Sequence, residues 1–190
     1  MRTGSRRYGP AVAVALSLAA AGCAAEPSQQ PTVRTDKGSS GCTGPRAAES
    51  KDADEAVEIA VAHVDTVAEQ RFAHVYTGLR VDDKALALDL YRIPDAAFDR
   101  SVCRGIPSNV TVRLHATTTP RTELDALVAR ISDEIPRWKS EFDLRTIAAS
   151  EEGHVEVGVD KPKVAEPLLR KAYGDLVEVT YEERPQLRRS

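Results

Sequence analysis

The sequence has little aromatic material: FWY make up 5% of 190 residues, with one tryptophan and one methionine. A deep pocket lined with aromatic rings is therefore disfavoured. Cysteine is scarce, at three residues. No CxxC or HExxH spacing occurs, and His63, His74, His115 and His154 are never paired at i, i+4, so no metal site and no cofactor is expected. A glycine-rich phosphate loop is missing too. Serines of the folded part (Ser101, Ser108, Ser132, Ser140, Ser150) lack a G-x-S-x-G setting, and no enzyme is expected. Acidic pairs such as Asp82-Asp83, Asp133-Glu134 and Glu151-Glu152 read as solvated surface rather than as catalytic carboxylates. The first residues are basic. That region holds Arg2, Arg6 and Arg7 and no acid; without it the 26 basic residues become 23 against 29 acidic, a net charge of −6. Such a balance excludes a nucleic-acid binder.

What is present begins with an address. MRTGSRRYGP is a positive leader, AVAVALSLAAA an apolar run of eleven, and Ala20-Ala21-Gly22-Cys23 follows. Eleven apolar residues are too short for a bilayer core of roughly 30 Å, so residues 1–22 read as a signal peptide. The AAGC segment resembles the lipobox of bacterial lipoproteins, in which the cysteine is lipidated and becomes the mature N-terminus. Lipidation of Cys23 and anchoring at the extracytoplasmic face of the membrane are expected; a plain signal peptide is the other reading. Ser5-Arg6-Arg7 hints at twin-arginine export, but Gly9 and Pro10 stand where apolar residues belong. With Cys23 lipidated, Cys42 and Cys103 remain, and outside the cytoplasm two leftover thiols commonly form a disulfide. The competing reading leaves Cys103 as a small buried residue and Cys42 free.

Residues 23–51, rich in Pro, Gly, Ser, Gln and Thr, read as a flexible tether. Residues 52–118 hold a helix over Asp52–Gln70 and a first strand–strand–helix–strand (ββαβ) unit. The helix carries apolar residues at three- and four-residue steps. FAHVYTGLRV and ALALDLYRI form the hairpin of the unit, PDAAFDRSVCRG its helix and NVTVRLHA its last strand. Residues 119–190 hold a long helix, TELDALVARISDEIPRW, ended or kinked by Pro136. FDLRTIAAS and HVEVGVD then make a second hairpin, KPKVAEPLLRKAYGD a helix and LVEVTYEE a strand. Leu86, Leu88 and Leu90 overlay Val155, Val157 and Val159 at an offset of 69, and Val110 and Val112 overlay Val177 and Val179 at 67. The expected fold class is α+β: two ββαβ repeats, each a three-stranded sheet with a helix on one face. The linking helix is expected to be shared between two half-cores, with the extra helix at the N-terminal side.

That element order, the TELDAL segment and the closing VEVTYEERP together resemble the pro-regions of secreted serine proteases of the alpha-lytic protease and streptogrisin type. The resemblance covers residues 71–185. It implies a domain that assists folding of a protease and then inhibits it, with the C-terminal sheet against the enzyme and the tail in its active site. Glu182, Glu183, Arg184 and Pro185 match that tail and are the expected partner-binding residues. The sequence as far as Ser190 contains no GDSGG-like nucleophile segment, so the expectation is a pro-region fold acting alone behind a lipid anchor. It would bind a secreted protease or another envelope protein, with Tyr181–Ser190 running on as an exposed strand. A small-ligand-binding envelope lipoprotein, a sensor or carrier with a cleft between the repeats, is the alternative from a different class.

Overall fold

A computed structural model describes residues 34–36, 39–44 and 52–184. The architecture is α+β, with two sheets and two separate cores. Two short strands open it, β1 (Arg34–Asp36) and β2 (Ser39–Thr43). Helix α1 (Ala53–Val67) starts at Asp52, whose carboxylate accepts from the Asp54 amide, and runs into a single π-helical turn, Ala68–Phe72. Then come β3 (Tyr76–Asp82), β4 (Ala87–Arg92), α2 (Ala96–Gly105) and β5 (Thr111–Ala116). The second part consists of α3 (Arg121–Asp133), a short α4 (Ile135–Trp138), β6 (Leu144–Ala149), β7 (Val155–Val159), α5 (Pro162–Tyr173) and β8 (Val177–Tyr181).

The first sheet has the order β1-β2-β5-β4-β3, and the second β6-β7-β8. In each, a hairpin is followed by a helix and a strand parallel to the hairpin's second member. Leu88 lies beside Val112, and Val157 beside Val179, so the two halves share this register. Both hairpins also carry a bulge near the start of the first strand, at Tyr76/Gly78 and Leu144/Thr146.

The sequence reading needs four corrections. The first sheet has five strands rather than three, because part of the stretch taken as a tether pairs with the free side of β5, Cys42 opposite Val112. The strand Ser-Ser-Gly-Cys-Thr has no alternating apolar pattern to announce it. Its order comes from backbone pairing and from a disulfide between Cys42 and Cys103, both buried. Leu86 does not line a strand; it sits in the β3–β4 turn with a positive φ of 46°. The buried residues of helix α3, Leu124 and Ile131, belong to the second core rather than to one shared by both halves, although the helix also passes β3 of the first sheet. Finally, Tyr181 closes β8 instead of beginning a free tail.

Local chemistry explains most boundaries. Asp95 caps α2, accepting from the amides of Ala97 and Phe98 at 2.8 Å each. Glu134 interrupts the long helical stretch before Pro136, and α4 begins after it. Gly174, with φ of 86°, turns the chain from α5 towards β8. At the junction of the halves, Gly78 lets the Glu151 backbone approach β3. The Thr77 hydroxyl there donates to the Thr119 carbonyl at 2.8 Å.

Candidate functional site

The C-terminal strand is built outward from the second core. Val177 is buried beside Val155, Val179 lies half-buried beside Val157, and Tyr181 is in register with Val159. The core has run out at that end, so Tyr181 stands 65% exposed. Among the described residues no strand pairs with the outer side of β8. An edge of this kind presents unpaired amides and carbonyls to an incoming strand.

The next residues do not leave the domain. The Glu182 amide donates to the Val159 carbonyl at 2.9 Å, and its carboxylate accepts from the Thr146 hydroxyl across β7. Gly158 makes room for this crossing, since a Cβ there would collide with both groups. Arg184 donates to Asp143 Oδ2 at 3.2 Å, an oxygen also held by Arg145 at 3.3 Å. Polar groups of the sheet thus meet Glu182 and Arg184, and Arg184 remains exposed. Glu183 is exposed, and Pro185 lies outside the described residues.

The outer face of the second sheet, away from its core, is open and acidic. Thr146, Ala148, Glu156, Glu178 and Thr180 are exposed on it. His154 Nε2 stands 3.1 Å from Glu178 and 3.6 Å from Glu156.

The corresponding face of the first sheet is a closed polar network that sequence reasoning missed. His115 Nε2 meets Asp89 Oδ1 at 2.7 Å, and the imidazole stacks on Tyr91 with centroids 4.7 Å apart. Arg113 bridges Asp82 at 3.1 Å and Asp89 at 3.4 Å, while Arg80 donates to the Tyr91 hydroxyl at 2.6 Å and to Glu152 at 3.2 Å. The Ala85 amide and the Arg113 guanidinium hold the Asp82 carboxyl below its ordinary range. Burial pushes the Tyr91 phenol up. The signal was available: Asp89-x-Tyr91 and Arg113-x-His115 occupy alternate positions between core residues.

The Asp89–His115 pair is two-thirds of a nucleophile relay, yet among the described residues no hydroxyl or thiol is bonded to the imidazole. His63 has a structural task, with Nε2 at 3.1 Å from the carbonyls of both Ser101 and Val102 at the end of α2. Among the described residues no group of His, Cys, Asp and Glu is arranged to hold a metal, and no helix is long and apolar enough to cross a membrane. The Cys42–Cys103 bridge spans a Cα–Cα distance of 6.0 Å and ties β2 to α2. Cys23 lies outside the described residues. No protein-family model matches the chain, and no curated protein matches it.

Proposed function

We propose that this protein is a lipid-anchored, extracytoplasmic, non-enzymatic interaction module that binds another protein through the free edge of β8 and the segment Glu182–Pro185. The partner class is a secreted serine protease, which the module inhibits or helps to fold. The observation that carries the reading is the outer side of β8, which pairs with no strand among the described residues, ends in exposed Tyr181 and continues into Glu183. Main-chain pairing along such an edge supplies affinity, and alternate side chains supply selectivity. The matched registers of Leu88–Val112 and Val157–Val179 support an internal repeat of the ββαβ kind. The Cys42–Cys103 disulfide supports an oxidising compartment. A ligand cleft between the halves has less in its favour, because Gly78 packs on Glu151 there and Thr77 bonds to Thr119.

The test incubates the purified protein, intact or lacking residues 182–190, with secreted serine proteases from the same source. Inhibition that depends on the tail is expected; absence of binding by either form to any of them overturns the reading. For the anchor, Cys23→Ser should shift the protein from the membrane fraction to the medium or leave it unprocessed. Normal processing and membrane retention of that variant would remove the lipoprotein assignment.

A further inference from the structure

A second surface lies in the first half, where α1 passes the edge strand β3. Helix positions Asp54, Val57, Glu58, Val61, Ala62 and Asp65 line one side of a groove of about 680 Å³. They recur at i, i+3, i+4, i+7, i+8 and i+11, a continuous helical stripe covering about 16 Å of axis at ~1.5 Å per residue. Val81 and Asp83 form the opposite wall, and Val81 is 40% exposed although it sits on the core side of β3. The floor is therefore apolar and the rim acidic. None of the four rim carboxylates is in an ion pair with a described residue, whereas Asp82 and Asp89, on the other face of the same sheet, are both paired with Arg113.

We infer that this groove is the docking site for a cationic amphipathic helix of a protein partner. An apolar ridge of such a helix, at i, i+4 and i+7, covers Val57, Val61 and Val81, and Lys or Arg on its flanks meets Asp54, Glu58, Asp65 and Asp83. The charge of the rim selects among classes of partner. It repels nucleic acid and anionic lipid surfaces, and it gives an acidic helix of the same apolar pattern no counter-charges. This site is independent of the β8 edge and of the protease reading.

The probe is a fluorescein-labelled eighteen-residue peptide with leucine at i, i+4, i+7 and i+11 and lysine on both flanks. A matched peptide has glutamate in place of lysine. Binding to the purified full chain is followed by anisotropy in 0.15 M salt. The lysine peptide is expected to bind and the glutamate peptide not. The double variant Glu58→Lys/Asp65→Lys should weaken binding at least tenfold, and Val81→Ser severalfold. The exposed α3 pair Glu123→Lys/Asp133→Lys, which changes net charge equally, should leave it within twofold. Melting curves establish that each variant is folded, and Val81→Ser, at an exposed position, guards against loss of structure in the charge variants. Equal binding of both peptides, no binding of either, or equal weakening by the α3 pair overturns the inference. So does concentration-dependent dimerisation abolished by Val81→Ser, which would assign the groove to a second copy.

Discussion

Strands β3-β4-β5 and β6-β7-β8 share an order, but the two sheets treat their outer faces differently. On the first, Ala87, Asp89 and Tyr91 are buried on the side away from the core, closed over by Arg80, Arg113, His115 and Glu152. On the second, the equivalent side carries exposed Glu156, Glu178 and Thr180, covered at one end only, by Glu182 over Gly158. The first half is also fastened by a disulfide and by the Arg92–Asp99 pair, in which Arg92 Nε and Nη2 donate at 2.9 and 3.0 Å. The second relies on an aromatic group: Trp138 donates to the Tyr173 hydroxyl at 3.2 Å, Tyr173 to Glu134 at 3.1 Å, and Arg130 and Arg137 lie over the two rings. The second sheet leaves its acidic face open beside the β8 edge, where the strand-pairing proposal falls.

The largest expected difference between the halves comes from the disulfide. Replacing Cys42 and Cys103 together by alanine should cost about 4 kcal/mol for a loop of this size. Hydrogen exchange should register the loss in the strands β2 to β5 and leave β6 to β8 protected. Equal loss of protection in both would show one cooperative unit and break the comparison.

The junction itself is probed by Gly78→Ala. The added methyl meets the Glu151 backbone, which cannot swing aside as a flexible side chain would. A loss of about 1–3 kcal/mol is expected, read by denaturant titration, with separate transitions for the halves if the contact is what couples them.

Gly158→Ala acts on the second sheet alone. It should expel the Glu182 carboxylate from Thr146 at a cost of about 1 kcal/mol. The readout is faster proteolytic trimming of the tail; an unchanged trimming rate would mean that the crossing is not what holds the tail.

The smallest effect concerns pH. Asp82 and Asp95 in the first half both have depressed carboxyl pKa values: Asp82 chiefly through the Ala85 amide, Asp95 chiefly through the Phe98 amide. In the second half Glu134 is depressed chiefly by Arg137, with help from Tyr173. A carboxylate whose pKa is lower folded than unfolded stabilises fully above the unfolded value, about 3.9 for Asp and 4.3 for Glu. That contribution is lost as the pH falls through the folded value. Melting temperature should thus decline below about pH 4, and Asp82→Asn with Asp95→Asn should flatten the decline more than Glu134→Gln does. Solvent screens all three groups, and a steeper response in Glu134→Gln would contradict the assignment.

The sequence by itself determined what local physics can carry. Alternation at Leu88–Leu90 and Val155–Val159 marked strands because a sheet with one buried face has period two. Three- and four-residue spacing marked α1 and α3, and the reading that pairs Cys42 with Cys103 matches the bridge that the structure contains. Tertiary structure decided the rest. Strand β2 has small polar residues and no period, and pairs only because β5 offers an edge within reach of the disulfide. Asp89 and His115 looked like surface positions of a half-buried sheet; their mutual bond depends on the parallel alignment of β4 and β5, with Asp89 opposite Arg113 and Tyr91 opposite His115. Glu182 looked like part of a solvated tail, and only the absence of a side chain at Gly158, on a different strand, lets it fold back. Pattern within one segment is a local property, but which polar groups meet is set by neighbours remote in the chain.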